Sequence, residues 1–197
     1  SYDHMQLLGD TLEKIAVEKA GINKPFVPIV IGERQNKTAE VFIEKSKQME
    51  TQLTFASDLI KAEFTRKNDS GSYFHIYKNE ELIYADLQVS LVGNYQQKNI
   101  CTVIESILQL KQKGWQISEN DIRSGLSKVQ QLTGLQGRWQ KLSDSPLTIC
   151  DVGHNKAGIE FILDQLKEYN YDQLRMVIGV VNDKDINGIL ELLPKNA

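Results

Sequence analysis

Two polar residues, Asp151 and His154, follow an apolar run in the segment TICDVGHNKAG and directly precede a predicted helix. In open α/β sheets, ligands bind at the carboxyl ends of strands, where helix N-termini also favour anions. An aspartate there suits ribose hydroxyl groups, and a histidine three positions later can meet a phosphate or a carboxylate. The alternative is that Asp151 and Asn155 only cap the helix. The segment therefore predicts either a ligand site or a helix cap.

Lys19 lies on an otherwise apolar face of a predicted helix, together with Leu12, Ile15 and Ala16. Such a lysine either extends its amine to water or is buried, and a buried amine is more often neutral. A neutral amine can react with CO₂ to form a carbamate, whose oxygens suit a hard metal ion. We expect Lys19 to be largely enclosed by its neighbours. His4, fifteen positions upstream, is a weaker candidate because a single histidine is more often a surface or core residue.

Arg138 lies in the segment GLQGRWQ, where nearby glycines indicate a loop. A guanidinium on such a loop suits a phosphate, and the alternative is an ordinary surface arginine. The 197 residues contain neither a G-x-x-x-x-G-K-[ST] sequence nor a G-x-G-x-x-G sequence. The chain therefore shows no complete nucleotide site of a common type.

The elements that must position these residues follow from periodicity and from turn residues. Asp10 with Glu13 predicts the start of the first helix, and Gly21 predicts its end. Residues 58–98 alternate in β fashion, with a hairpin turn at Asn79-Glu80. Helices are predicted over 10–20, 38–51, 99–113, 121–132 and 157–169, and strands over 27–32, 52–57, 147–150 and 176–181.

The order of the predicted helices and strands changes near residue 143. This change predicts two domains, 1–142 and 143–197, joined by the linker SDSP. The strand–helix–strand order after the linker predicts a βαβ unit, the beginning of a parallel sheet. One such unit cannot cover both faces of a sheet, so we expect the second domain to be truncated.

The composition is that of a globular protein, with 41% hydrophobic and 25% charged residues. A net charge of −3 gives no general attraction to nucleic acid or to an anionic membrane, and no apolar run is long enough for a membrane span. Cys101 and Cys150 lack metal-ligand spacing and are predicted to be buried free thiols, which fits a cytoplasmic protein.

Five segments together resemble the folylpolyglutamate synthase/dihydrofolate synthase family of the Mur ligase superfamily. The segments are DHMQLLGDTLEKIAVEKAGI, GNYQQKN, GRW, DVGHNKAG and VIGVVNDKD, and they occur in the family's order. The first is similar to the family block almost position for position. Departures are Tyr95 for the usual histidine, Ile100 and Gly153 for alanines, and Lys156 for proline.

The resemblance implies roles for particular residues. It implies that His4 binds a divalent metal, with Lys19 carbamylated and acting beside it. Asn99 is implied to contact adenine, and Arg138 a phosphate. Asp151 and His154 are implied to reach the nucleotide and the incoming amino acid, so that Lys19 and His154 are the expected catalytic residues.

The fold implied is α/β, part of a Mur-ligase-type central ATPase domain followed by the start of a Rossmann-like C-terminal domain. The implied activity is ATP-dependent addition of L-glutamate to folate or dihydropteroate through an acyl phosphate, with ATP and Mg²⁺ as cofactors. The alternatives are a Mur-type ligase for a peptidoglycan precursor and a non-catalytic nucleotide-binding module. We expect a cytoplasmic monomer without nucleic-acid or membrane partners, and an internal part of the enzyme that is inactive alone because it lacks the P-loop.

Overall fold

A computed structural model describes residues 9, 11–68, 70–181 and 186–194. The first elements are α1 (Leu12–Ala20), β1 (Ile29–Ile31), α2 (Ala39–Gln48), β2 (Leu53–Phe55) and the short α3 (Ala56–Leu59). β1 and β2 pair in parallel, as expected for strands joined by a helical crossover. α1 is capped by Thr11, whose hydroxyl accepts a hydrogen bond from the Lys14 amide at 3.2 Å. The predicted cap, Asp10, lies outside the described residues, and the helix begins two positions later than predicted.

A three-stranded antiparallel sheet follows, made of β3 (Ile60–Asn68), β4 (Gly71–Lys78) and β5 (Glu81–Val89), in that order. The predicted turn at Asn79-Glu80 is confirmed. Both residues have positive φ, 48° and 69°, as a tight two-residue hairpin turn with right-handed strand twist requires.

Helices α4 (Gln96–Gln112), α5 (Glu119–Ser127) and α6 (Val129–Thr133) come next. α4 begins three residues before the predicted start, so Asn99 lies within its first turn. α5 starts with a capping box in which Ser118 and Asp121 exchange hydrogen bonds. The predicted helix over 121–132 is divided at Lys128, where α5 ends and α6 begins.

The last part contains β6 (Gln140–Asp144), β7 (Leu147–Cys150), α7 (Lys156–Leu166) and α8 (Ile186–Leu190). Residues 143–146 are not a linker, because they form the end of β6 and the turn of the β6–β7 hairpin. Two connecting residues permit an antiparallel pair, whereas a parallel pair needs a crossover of about a dozen or more.

The predicted strand over 176–181 is wrong. These residues have no regular secondary structure, and the side chain of Val177 is fully exposed. An apolar segment becomes a strand only where another strand can pair with its backbone, and no described segment does so here. The predicted parallel βαβ unit is therefore absent from the described residues, and the fold is mixed α/β.

Two apolar cores stabilise these elements. The larger lies between the three-stranded sheet and helices α4 and α5, where Ile76, Leu87 and Ile104 are completely buried. Full burial of one such side chain contributes about 1.5–3 kcal/mol. The smaller core joins α1, α2 and β2 through Ala16, Phe42 and Phe55. The cores thus fix the helices that carry Lys19 and Asn99. Within the described residues, none of the helices combines the length and the apolar character that crossing a bilayer requires.

Candidate functional site

A cavity of about 250 Å³ opens between α1, the segment after β1, and α4. It lies at the carboxyl end of β1, the sheet edge at which α/β proteins bind ligands. Glu33 and Lys98 lie on its wall and form an ion pair of 2.8 Å, which ties the segment after β1 to α4. The sequence-predicted site residues that line this cavity are Lys19 and Asn99.

Lys19 faces this cavity together with Leu12 and Ile15, as its helical spacing predicts. The expectation that it is largely enclosed is wrong, because its side chain is exposed. The apolar face of α1 packs through Ile15, Ala16 and Ala20, and Lys19 lies at the rim of that contact. A side chain at a rim can extend its amine into water. His4 lies outside the described residues, so its predicted role as a metal ligand stays a prediction.

The start of α4 carries a line of hydrogen-bonded polar side chains. The amide nitrogen of Asn99 donates to the side-chain oxygen of Gln96 at 2.9 Å. Gln96 is buried and directly follows Tyr95 in the sequence. Asn99 itself is exposed and therefore accessible to a ligand.

The carboxylate of Asp151 accepts hydrogen bonds from three separate segments. Its Oδ2 accepts from the Trp139 amide at 2.8 Å and from the Tyr95 hydroxyl at 3.2 Å, and its Oδ1 accepts from the Gly153 amide at 2.8 Å. Asn155, not Asp151, caps α7, because its side chain accepts from the Gly158 amide. The interpretation of Asp151 as a helix cap is therefore wrong, and the residue instead joins β7, the segment before β6, and the start of α4.

The segment around Arg138 is held close to Asp151 by backbone contacts. Gly137 accepts a hydrogen bond from the Val152 amide at 3.0 Å, and a Cβ at this glycine would lie 2.4 Å from a Val152 methyl group. Trp139 adopts φ of 49°, an unfavourable conformation for a bulky residue, which its bond to Asp151 helps to hold. Arg138 itself is partly buried, and its Nη1 donates to the Gly137 carbonyl at 3.2 Å.

Tyr95 lies at the centre of this group. Burial, the negative charge of Asp151 and the hydrogen bond to it raise the pKa of Tyr95 to about 12, against the opposing effects of the positive charge of Arg138 and of the Gln96 hydrogen bond. The hydroxyl therefore remains protonated at neutral pH and acts as a donor to Asp151. The hydrogen bonds of Asp151 thus bring Tyr95 together with Trp139, the residue that follows Arg138.

His154 lies in the turn between β7 and α7, partly buried. Its Nδ1 is 3.0 Å from the carbonyl oxygen of Val152. Because a carbonyl only accepts, this contact favours the tautomer that carries its proton on Nδ1. The ring is thereby held against the backbone of the turn that follows Asp151.

A metal site is not formed by the described residues, since they contain no group of three or more His, Cys, Asp or Glu side chains able to hold an ion. Lys19 is exposed, and no described carboxylate cluster completes a ligand set around it. Mg²⁺ prefers near-octahedral oxygen coordination. The residues described here therefore do not fit a metal site by themselves, and we derive no step through one.

Sequence reasoning named Asn99, Arg138 and Asp151, whose ligand contacts stay predictions, but not the residues that connect their segments. Tyr95 was noted only as a departure from a family motif, and Gln96 and Trp139 were given no role. The signal for Tyr95 was present in its position one helical turn before Asn99. The bond that gives it significance joins residues 56 positions apart, which no local pattern reveals.

The chain was compared with known proteins, and the relatives found carry consistent names. No protein-family model matches the chain. Folylpolyglutamate synthase of Lacticaseibacillus casei is 32% identical over 193 residues, which cover 97% of this chain and 44% of that protein. Dihydrofolate synthase/folylpolyglutamate synthase of Bacillus subtilis is 29% identical, with 98% and 44% covered. The chain thus spans less than half the length of these relatives.

Solved structures agree in fold. An FPGS-AMPPCP-folate complex superposes with a TM-score of 0.83 at 30% identity, over 97% of this chain and 46% of that chain. Escherichia coli FolC in complex with DHPP and ADP gives a TM-score of 0.77 at 26% identity, over 97% and 42%. By sequence and by fold, over the residues compared, this chain is similar to proteins of the folylpolyglutamate synthase/dihydrofolate synthase family.

Proposed function

We propose that this chain forms part of an ATP-dependent ligase that adds L-glutamate to a folate or to dihydropteroate. The observation that carries the proposal is that the Asp151 carboxylate accepts from Tyr95, one helical turn before Asn99, and from Trp139, next to Arg138, and so brings the three segments that carry these residues together. Relatives that this chain resembles along nearly its whole length are solved with AMPPCP and folate and with DHPP and ADP. The proposed organisation keeps the central ATP-binding domain in residues 1–142 and the start of a Rossmann-like domain in residues 143–197, with a boundary that falls within β6.

The reaction proposed has two steps. A carboxylate oxygen of the folate or pteroate substrate attacks the γ-phosphorus of ATP, which releases ADP and forms an acyl phosphate. The amine of L-glutamate then attacks the acyl carbon, phosphate leaves, and the amine gives up a proton as the amide forms. Holding the amine against the activated acyl group makes this second step effectively unimolecular.

Each site residue has a proposed part in this scheme. Asn99 contacts the adenine, Asp151 binds the ribose, and Arg138 neutralises charge that develops on the transferring phosphoryl group. His154 contacts the incoming glutamate, and Lys19 is a catalytic residue in the cavity beside α4. Binding of Mg²⁺ through His4 and Lys19 stays a prediction of the family resemblance, because the described residues alone form no metal site.

The test is ADP release by the natural full-length protein that carries this sequence, with each candidate acceptor in turn. We expect release that requires both L-glutamate and either a folate or dihydropteroate, and a product heavier by one glutamyl residue in mass spectrometry. Release that instead requires a peptidoglycan precursor would favour the Mur-type alternative. ATP binding without turnover on any acceptor would favour a nucleotide-binding module.

A further inference from the structure

The Asp151 carboxylate is held by two backbone amides and by one side chain, that of Tyr95. Gly153 lies two residues after Asp151, and the backbone pairing between Gly137 and Val152 brings Trp139 close. Tyr95 directly precedes α4 and is its N-cap residue. It is therefore the donor that relates Asp151 to α4.

Tyr95 also lies one helical turn before Asn99, an exposed residue of α4 that lines the cavity. The backbone amide of Asn99 donates to the Tyr95 carbonyl at 3.3 Å, and the Asn99 side chain donates to Gln96 at 2.9 Å. The Tyr95 hydroxyl donates to Asp151, and its ring makes an edge-to-face contact with Phe161, with ring centroids 6.2 Å apart. These residues are therefore restricted in position before any ligand binds.

An ionised carboxylate offers about four acceptor positions, and three of those on Asp151 are occupied by the donors described above. One position remains for a donor from a ligand, such as a hydroxyl group. The direction of this position depends on how the carboxylate is rotated. The Tyr95 hydroxyl contributes to fixing that rotation, because it approaches Oδ2 from a different element than the amides do.

We propose that Tyr95 is a positioning residue that fixes Asp151 relative to Asn99, so that the two ends of one nucleoside, base and ribose, are bound at a set separation. The inference rests on the proposed function, in which Asn99 and Asp151 contact adenine and ribose. Tyr95 acts through Asp151 and does not touch the nucleotide. It thereby determines selectivity for a ribonucleotide over a deoxynucleotide.

The experiment compares equilibrium binding of ATP, 2′-deoxy-ATP and 3′-deoxy-ATP to the natural full-length protein. The unmodified protein should prefer ATP over at least one deoxy analogue. Tyr95→Phe removes only the hydroxyl group and should reduce that preference by about tenfold, the usual scale for a hydrogen bond to a charged group. Tyr95→His, which retains a donor, should recover part of the preference even if the phenylalanine variant folds poorly.

A double substitution separates positioning from direct contact. In an Asp151→Ala background, Tyr95→Phe should cause no further change in the binding ratio, because the residue through which it acts is missing. A further loss of ATP affinity in that background would show direct contact and overturn the inference. Tyr169→Phe is the matched control, since it removes a hydrogen bond from the Trp139 indole, 3.1 Å long, without touching Asp151. It should leave the binding ratio unchanged.

The possible failures are distinguishable. If the unmodified protein binds ATP but shows no preference over either deoxy analogue, or if Tyr95→Phe retains the full preference, the role of Tyr95 is wrong while the proposed function stands. If the unmodified protein does not bind ATP at all, the proposed function itself fails.

Discussion

Tyr95 is a tyrosine whose ionisation opposes folding. Its pKa in the native state is about 12, against 10.0 for an ordinary tyrosine, chiefly because of burial and then because of the charge on Asp151. A raised native pKa means that the unfolded state releases this proton more readily. The stability that depends on the neutral hydroxyl is therefore present below about pH 10 and is lost as the pH rises through about 12.

We predict that Tyr95→Phe flattens the decline of stability at high pH. The free energy of unfolding of the unmodified protein should fall by about 1 kcal/mol more between pH 8 and pH 11 than that of the variant. Urea unfolding at both pH values, followed by circular dichroism, measures the difference. Parallel declines in the two proteins would show that Tyr95 is not in the environment described.

Arg138 permits a second prediction at this scale. Arg138→Ala should raise the ATP concentration needed for turnover at least tenfold, because a charge-assisted contact with phosphate is lost. It should change the free energy of unfolding by within about 0.5 kcal/mol, as is usual for a loop position. Steady-state kinetics and urea unfolding of the same full-length protein give both values. Comparable losses of activity and stability would instead indicate a structural arginine.

At the scale of elements, a buried ion pair joins the three-stranded sheet to α4. Glu105 on α4 is completely buried, and its two oxygens contact Lys78 of β4 at 3.2 Å and the side chain of Gln109 at 2.7 Å. Lys78 is about one-quarter exposed. Breaking a buried pair by removal of one partner is costly because the remaining charge has no compensation.

We predict that Lys78→Met destabilises the protein by about 2 kcal/mol, although methionine fills much of the same space. Lys111→Met is the control, since Lys111 lies on the exposed side of the same helix and its substitution should cost within about 0.5 kcal/mol. Thermal unfolding followed by circular dichroism compares the three proteins. Equal melting temperatures for the two variants would contradict the importance of the pair.

Several helices and turns could be predicted from the sequence alone. The amphipathic patterns that define α1, α2 and α7, and the turn at Asn79-Glu80, are local, and they were predicted to within a few residues. The cap of α1 was misplaced because Asp10 and Thr11 are both competent caps. The segment 176–181 was predicted as a strand from its apolar run alone, and such a run does not specify a pairing partner.

The candidate site also combines features that local patterns reveal with features that depend on packing. Lys19, Asn99, Arg138 and Asp151 each lie in a short recognisable segment, so their identities were accessible from the sequence. The exposure of Lys19 and the bond from Tyr95 to Asp151 depend on how distant elements pack. Periodicity carries no information about such contacts, and only the structure gives them.

At the scale of the whole molecule, two adjacent residues just before α4 contact the part of the chain after Gly137. Tyr95 donates to Asp151, and Asn94 donates through its backbone amide to Gln165 at 3.1 Å and through its side chain to Glu168 at 2.8 Å. Lys67 of β3 adds an ion pair with Glu168 of 3.5 Å. These contacts connect the sheet-and-helix core to β7 and to the α7 region.

We predict that the 197-residue chain by itself does not turn over ATP. It contains no Walker A sequence, whose backbone amides would hold the phosphates. A coupled ADP assay on the purified chain, with folate, L-glutamate and ATP, should give no more product than a sample without protein. The natural full-length protein assayed in parallel is the positive control. Glutamate-dependent ADP release by the chain alone would contradict the prediction.

The shared carboxylate of Asp151 also has an evolutionary consequence. One of its three donors, Tyr95, lies 56 positions away in the sequence, so no single mutation can relocate the acid without leaving a donor unmatched. The two backbone donors, which no side-chain mutation removes, would preserve an acidic residue at position 151 while the residue at position 95 drifts among hydrogen-bond donors.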